Sequence, residues 1–347
     1  MEKTDLRSMT PEELTAFLAT LGQPAYRAKQ IFSWVHQKHA SDFSKMTDLP
    51  ASLREILAEK CTVELPKILH LAASKQDETV KFLFELSDGN RIESVRMHYH
   101  YGDTLCISTQ VGCNMGCAFC ATGLSGKIRD LTAAEMLGQI EKAEEALSCH
   151  ISHVVLMGMG EPLDNFGQVV RFLDLVSHPM GRNLTARHIT LSTCGIVPKI
   201  LALAEQKRQI TLAVSLHAAD NLRRSSLMPV NRRWELSELI PACKTYFEKT
   251  GRRVTFEYAL IAGENDSSDE ADRLIGLLKD FPCHVNLIPI NPVEETGKKP
   301  PSKGVVKAFA ARLEKGGISV TSRRTLGADI DAACGQLRRR KEQTDFV

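Results

Sequence analysis

The sequence predicts an α/β protein, a partial (β/α)6 barrel with a small N-terminal helical accessory domain. Two observations carry the prediction. From Thr104 onward, short β-rich runs alternate with amphipathic helical stretches, as parallel-sheet units require. Before that, the first 75 residues show helical periodicity instead.

In the N-terminal stretch, Thr10-Pro11-Glu12-Glu13 is a helix start, with Thr10 as N-cap, Pro11 in the first turn and Glu13 closing a capping box. Leu14, Phe17, Leu18 and Leu21 then recur at helical spacing. A second helix is expected after Gln23-Pro24, burying Tyr26, Ile31, Phe32 and Val35, and a third from Pro50 through Leu53, Ile56 and Leu57. Arg27, Lys29, Lys38 and His39 read from the residues alone as solvated surface, with an RNA-facing surface as the alternative. Val80 to Leu86 and Arg91 to Met97 form a hairpin pattern around the turn residues Ser87-Asp88-Gly89-Asn90.

The barrel strands are expected at Thr104–Thr109, Ser152–Met157, His188–Ser192, Thr211–Leu216, Val254–Leu260 and His284–Pro289, with a further short run at Ser319–Ser322. Thr132, with Glu135 three residues on, caps the first intervening helix. Six such strands favour a partial barrel over a flat sheet without forcing the choice. The expected domains are a helical unit at 1–75, a hairpin extension at 76–98, the barrel at 99–330 and a C-terminal segment at 331–347.

Composition narrows the class. Of 347 residues, 43% are hydrophobic and 25% charged, so a large core is available and no disulfide scaffold is needed. A net charge of +2 identifies no partner. Met1 to Thr10 carries charges without an apolar run, unlike a signal peptide, and no stretch is apolar enough for a membrane span, so a cytoplasmic protein is expected. Ten cysteines there are free thiols, metal ligands or catalytic groups.

Their distribution is informative. Cys61, Cys149, Cys194, Cys243, Cys283 and Cys334 are scattered, whereas Cys106, Cys113, Cys117 and Cys120 crowd together. Cys113, Cys117 and Cys120 form a C-x-x-x-C-x-x-C pattern in a glycine-punctuated loop after a predicted strand. Three thiolates so placed can hold three irons of a [4Fe–4S] cube and leave the fourth open to a substrate molecule. The alternative is zinc, which wants a fourth ligand that Cys106 could supply.

At these residues the chain resembles radical-SAM enzymes, specifically the RlmN/Cfr family of RNA adenine methyltransferases. The likeness spans nearly the whole chain. It is dense in LCISTQVGCNMGCAFCATG (Leu105–Gly123), MGMGEP (Met157–Pro162), LSTCGIVP (Leu191–Pro198), SLHA (Ser215–Ala218), MPVN (Met228–Asn231), NLIPINP (Asn286–Pro292) and DIDAACGQL (Asp329–Leu337). The resemblance implies a radical-SAM barrel with an RNA-binding accessory domain at its N-terminus. It implies that Cys113, Cys117 and Cys120 hold the [4Fe–4S] cluster and that S-adenosylmethionine chelates its open iron. Gly160 and Glu161 match the segment contacting the methionine amino group, with glycine giving the backbone room to approach. Ser192, Ser215, Leu216, His217 and Asn291 match other positions lining the cofactor. Cys334 matches the methyl-carrying cysteine, Cys106 its resolving partner and Glu93 a proton acceptor. Taken singly, Ser192 and His217 read as satisfied polar residues, Cys334 as a small core cysteine and Glu93 as an exposed strand carboxylate. Cys194 stands where relatives often carry another small residue.

Adenine C2 is electron-poor and will not attack a sulfonium methyl, so a carbon radical is the suitable reagent. The resemblance implies two S-adenosylmethionine molecules per turnover. One methylates Cys334; the other yields a 5′-deoxyadenosyl radical that activates the S-methyl group for addition to the ring. Glu93 then takes the ring proton, and Cys106 releases the product by forming a transient disulfide with Cys334. The implied partners are 23S rRNA, some tRNAs and an electron donor such as flavodoxin or ferredoxin, with no membrane. Basic clusters at Arg223-Arg224, Arg232-Arg233, Arg252-Arg253, Arg323-Arg324 and Arg338-Arg339-Arg340-Lys341 are candidates for neutralising phosphates, the last being the best because it follows Cys334. Two alternatives stand beside this reading: a C8-adenosine methyltransferase of the kind that confers antibiotic resistance, and a non-catalytic metal-containing RNA-binding protein.

Overall fold

The computed structural model describes residues 3–124, 126–291, 297–324, 326–332 and 336–337. The N-terminal unit holds β1 (Thr4–Asp5), α1 (Pro11–Thr20), α2 (Tyr26–His36), α3 (Ala51–Lys60) and β2 (Cys61–Thr62). The Thr10–Glu13 capping box forms in both directions, and Pro11 opens α1. Leu14, Leu18, Ile31, Phe32, Val35, Leu53 and Leu57 are buried together. Tyr26 is not; it is 54% exposed, because it stands at the first position of α2, where the Arg27 guanidinium lies over its ring. β1 pairs in parallel with β2, closing the unit on itself.

Arg7 fixes this unit to the barrel. It is fully buried, donates to the carbonyls of Val35, Ala40 and Val63, and pairs with Glu141 on the first barrel helix. A buried guanidinium is tolerated only when its donors are met in this way.

One sheet of ten strands forms the rest of the frame. β3 (Lys67–Ala73), β4 (Val80–Glu85) and β5 (Arg91–Tyr99) run antiparallel and lead into β6 (Gly102–Cys106). β3 corrects the expectation of a purely helical unit to residue 75. It lies on the sheet edge with an irregular, mostly exposed pattern, so it offers no alternation to detect. A short antiparallel pair, β7 (Gln110–Gly112) and β8 (Lys127–Asp130), flanks the cysteine loop and α4 (Ala121–Leu124).

From β6 the chain makes six βα units. α5 (Ala133–Leu147) leads to β9 (Ile151–Leu156), α6 (Phe166–Val176) to β10 (Ile189–Thr193), and α7 (Val197–Glu205) to β11 (Thr211–Ser215). α8 (Asn221–Leu227) and α9 (Leu236–Thr250) precede β12 (Val254–Leu260). Then α10 (Ser268–Leu278), β13 (Cys283–Pro289), α11 (Lys303–Lys315) and β14 (Ser319–Ser322) complete the series. β6, β9, β10, β11, β12, β13 and β14 are parallel neighbours in that order, and their interior side chains, among them Leu156, Leu191, Val214, Phe256 and Leu287, are buried. Thr132 caps α5 with Glu135 returning the bond, as expected. The described residues contain no helix long and apolar enough to cross a membrane.

Past β14 the chain returns to the antiparallel end of the sheet. Asp329 accepts from the Ser74 hydroxyl at 2.7 Å and the Lys75 N–H at 2.8 Å, and Asp77 accepts from the Gly327 N–H at 3.0 Å. Segment 326–332 is thereby tied to the β3–β4 turn. Cys334 and the Arg338–Lys341 cluster lie outside the described residues.

Replacing Arg7 by leucine leaves Glu141 buried without its cation and three carbonyls without a donor. The expected cost is about 3–5 kcal/mol, read as a lowered urea midpoint.

Candidate active site

The C-terminal ends of the parallel strands converge on one cavity of about 960 Å³. Leu156 and Met157 reach it from β9, Ser192 and Thr193 from β10, Ser215 from β11, Glu257 and Ala259 from β12, Ile288 from β13 and Arg323 from beyond β14. Ligand sites of α/β folds lie at this end of the strands. Cys113, Cys117 and Cys120 line the same cavity, with Met115 and Phe119 between them.

The cysteine loop is held by backbone bonds at both ends. Cys113 N–H donates to the Gly126 carbonyl at 3.1 Å, and Ala118 N–H to the Leu227 carbonyl of α8 at 2.9 Å. Burial pushes the Cys113 thiol up to about 12 and raises Cys117 as well; the neighbouring cysteines and Glu161 push in the same direction. Three thiols so placed become thiolates only against strong positive charge, which a metal centre provides.

Gly158 and Gly160 line the cavity and also allow a close approach within the chain. A Cβ on Gly158 would stand 2.6 Å from the Ile107 carbonyl oxygen, and one on Gly160, at φ +107°, 2.6 Å from Gln110 Cβ. The close approach is to the chain's own β6–β7 connection. Glu161 is buried, and its carboxylate accepts from the N–H groups of Cys194 at 2.7 Å and Leu163 at 3.0 Å; burial nevertheless pushes it up. Cys194 therefore sits in the cavity wall, its thiol raised well above the ordinary value by burial.

His217, at φ +60°, accepts the Ala259 N–H on Nδ1 at 2.9 Å, which places its proton on Nε2. Burial lowers it to about 3, and the Arg224 guanidinium adds to the shift. Ser192, Ser215, Gly160 and Asn291 all line the cavity. Leu216 does not: its side chain is fully buried, and its N–H and carbonyl are used by Glu257 and Arg224.

A second cavity of about 530 Å³ adjoins the first, and Met157, Ile288, Asn291 and Arg323 line both. Cys106 lines it, with Val95, Met97, Arg324, Ala332 and Leu337. Ala332 and Leu337 bracket Cys334 in sequence. Leu337 is fixed through its carbonyl, which accepts the Thr122 hydroxyl at 2.6 Å, two residues past Cys120. Glu93 is fully buried on β5, two residues from Val95 and on the same face, with Lys81 beside it; the exposed carboxylate read from the strand alone is corrected.

Two models of known families match the chain. The ribosomal RNA large subunit methyltransferase N-terminal domain matches residues 4–63, and the radical SAM superfamily matches 107–275. Relatives from a Thermoanaerobacter species and from Lachnospira eligens, both named probable dual-specificity RNA methyltransferase RlmN, are 49% and 47% identical. The matches cover 97% and 96% of this chain and 98% and 96% of theirs. The chain belongs to the RlmN family. In structure, a radical SAM methyltransferase from Sphaerobacter thermophilus matches with a TM-score of 0.91 at 45% identity, over 96% of this chain and 99% of that one.

Members of the RlmN family are radical-SAM methyltransferases that use a [4Fe–4S] cluster and S-adenosylmethionine. The donor set here fits. Cys113, Cys117 and Cys120 line one cavity, and soft thiolate donors suit an iron–sulfur cluster.

In this RlmN-family chain two of the basic pairs do not face solvent as pairs. Arg224 is fully buried and donates to the carbonyls of Leu216, Ser215 and Cys194 and to the Asn231 side chain; burial lowers it to about 10. Arg223 pairs with Glu270, and Arg323 lines both cavities. The sequence reading missed Glu257, a cavity carboxylate that accepts from Asn286 at 2.9 Å and that burial pushes up. Its signal was available: a lone glutamate inside the apolar strand VTFEYAL.

The lowered His217 value gives a pH prediction. Below pH 6.5 the unfolded chain protonates this imidazole and the folded chain does not, so its stabilising contribution is present above 6.5 and lost as pH falls toward 3. Glu161 and Glu257, both raised, act with the opposite sign, so the imidazole is isolated by comparing the wild type with His217→Asn. In urea unfolding, wild-type stability relative to the variant should fall by up to ~1.4 kcal/mol per pH unit below 6.5.

Proposed function

We propose that this protein methylates C2 of an adenosine in 23S rRNA, and of adenosines in some tRNAs, through an S-methylated Cys334. The observation that carries the reading is the adjacency of the two cavities. The cysteine-lined pocket shares Met157, Ile288, Asn291 and Arg323 with the pocket of Cys106, whose wall includes Ala332 and Leu337, on either side of Cys334 in sequence. The names of the relatives and the N-terminal family match support an RNA substrate and dual specificity.

In this reading Cys113, Cys117 and Cys120 hold the cluster. Gly160, Glu161, Ser192, Ser215, Leu216, His217 and Asn291 shape the S-adenosylmethionine site, Leu216 through its backbone. When bound, the two cofactors supply a methyl group and a 5′-deoxyadenosyl radical. Cys334 carries the S-methyl group, and a flipped-out adenine enters the Cys106 pocket past Arg324, which is exposed and can meet a phosphate. Glu93 takes the C2 proton, and the unpaired electron of the adduct would return to the cluster that Cys113, Cys117 and Cys120 would hold. Cys106, as thiolate, attacks the Cys334 sulfur; the two sulfurs are oxidised to a disulfide while the methylene carbon leaves with the electron pair and takes up a proton as methyl. Flavodoxin or ferredoxin supplies the electron. A disulfide that must be reduced after each cycle belongs in a reducing cytoplasm.

The test is anaerobic reconstitution and turnover on an RNA fragment, with mass spectrometry of the adenosine isomers. Wild type should give 2-methyladenosine; 8-methyladenosine would favour the C8 alternative. Cys334→Ala should keep the cluster spectrum and form no methyladenosine. Cys106→Ala should accumulate covalent protein–RNA adduct. Unchanged product from Cys334→Ala would sink the reading.

A further inference from the structure

Lys81, on β4, is 3% exposed, which is rare for a lysine and requires partners. Its ammonium lies 3.5 Å from Glu93 Oε1 and donates to the Asp331 carbonyl at 3.2 Å. The sheet register explains the meeting. Lys81 is opposite Val95 and Val95 is opposite Cys106, so the three side chains form a row on one face. Glu93, two residues from Val95, projects from that same face. Asp331 stands at φ +50°, a left-handed conformation that directs its carbonyl to this row three residues before Cys334. Lys81 lies outside both family-model matches and outside the motifs in which the likeness is dense, and its sequence position suggests no role.

We propose that Lys81 is a positioning residue: it keeps Glu93 ionised and fixes it relative to the chain that carries Cys334. The inference rests on Glu93 being the proton acceptor. A carboxylate with no exposure keeps its charge only beside a cation, and a protonated carboxyl cannot take the C2 proton. The second contact of the same ammonium, on Asp331, sets the distance between base and methyl carrier. Methyl transfer to Cys334 moves no proton to Glu93. Lys81 therefore matters only after the base is covalently attached, when the C2 proton passes to the Glu93 carboxylate and the link to Cys334 can be broken.

The test compares reconstituted full-length wild type, Lys81→Met, Lys81→Arg, Glu93→Gln and the Lys81→Met/Glu93→Gln double variant. Three quantities are measured: methyl on Cys334 by mass spectrometry, covalent protein–RNA adduct on denaturing gels, and the melting temperature. Lys81→Met should carry methyl on Cys334 to the wild-type extent, accumulate adduct as Glu93→Gln does, and lose about 100-fold or more of released product. Lys81→Arg, which keeps the cation, should recover part of that release. The double variant should melt above Lys81→Met, because the buried charge that lost its lysine is gone.

Wild-type release from Lys81→Met would overturn the inference. Loss of Cys334 methylation in Lys81→Met, with no recovery of melting in the double variant, would also overturn it and leave a merely structural lysine. If Glu93→Gln traps adduct while Lys81→Met turns over normally, only the Lys81 inference fails. If Glu93→Gln releases product normally, the base assignment falls and the inference falls with it.

Discussion

One guanidinium holds the reactive end of the barrel together. Where parallel strands stop, their last carbonyls lose the ladder and must find donors. At β10 and β11 those donors come from Arg224, which reaches the carbonyls of Cys194, Ser215 and Leu216 from within α8. The same helix offers its Leu227 carbonyl to the cysteine loop. The strand ends and the loop are therefore positioned through one short helix. The charge is tolerated without exposure because four acceptors surround it, Asn231 among them.

Around that helix the site is assembled from close backbone contacts. Gly158 and Gly160 bring the turn after β9 against the β6–β7 connection, and Glu161 fixes the start of the β10–α7 turn through the Cys194 N–H. Side chains that line the cavity are held by hydrogen bonds from neighbouring backbone and amide groups. His217 is held by the Ala259 N–H on its ring and the Asn265 amide on its carbonyl.

Much of this was legible in the sequence. The barrel strands Val254–Leu260 and Ser319–Ser322 fall where their β-rich runs end, and both capping boxes form because Thr and Glu at that spacing can hardly do otherwise. The cysteine spacing placed three thiols in one loop. Features without a local pattern were not legible. β3 is an exposed edge strand, and β7 and β8 are too short to show a period. Arg224 and Lys81 are charged residues whose burial depends on partners far along the chain, and nothing beside them in sequence separates them from surface cations. The same holds for Arg7, whose acceptors span Val35 to Glu141.

The return of segment 326–332 to the β3–β4 turn has a mechanical side. The two ends of the sheet, β14 and β3, share no ladder. Among the described residues they are bridged through Asp329, Gly327 and Asp331 by four hydrogen bonds, each worth about 0.5–1.5 kcal/mol net. A strand-zipped wall would resist a bulky guest. This seam is fastened at a turn instead, and no barrel strand takes part in its bonds.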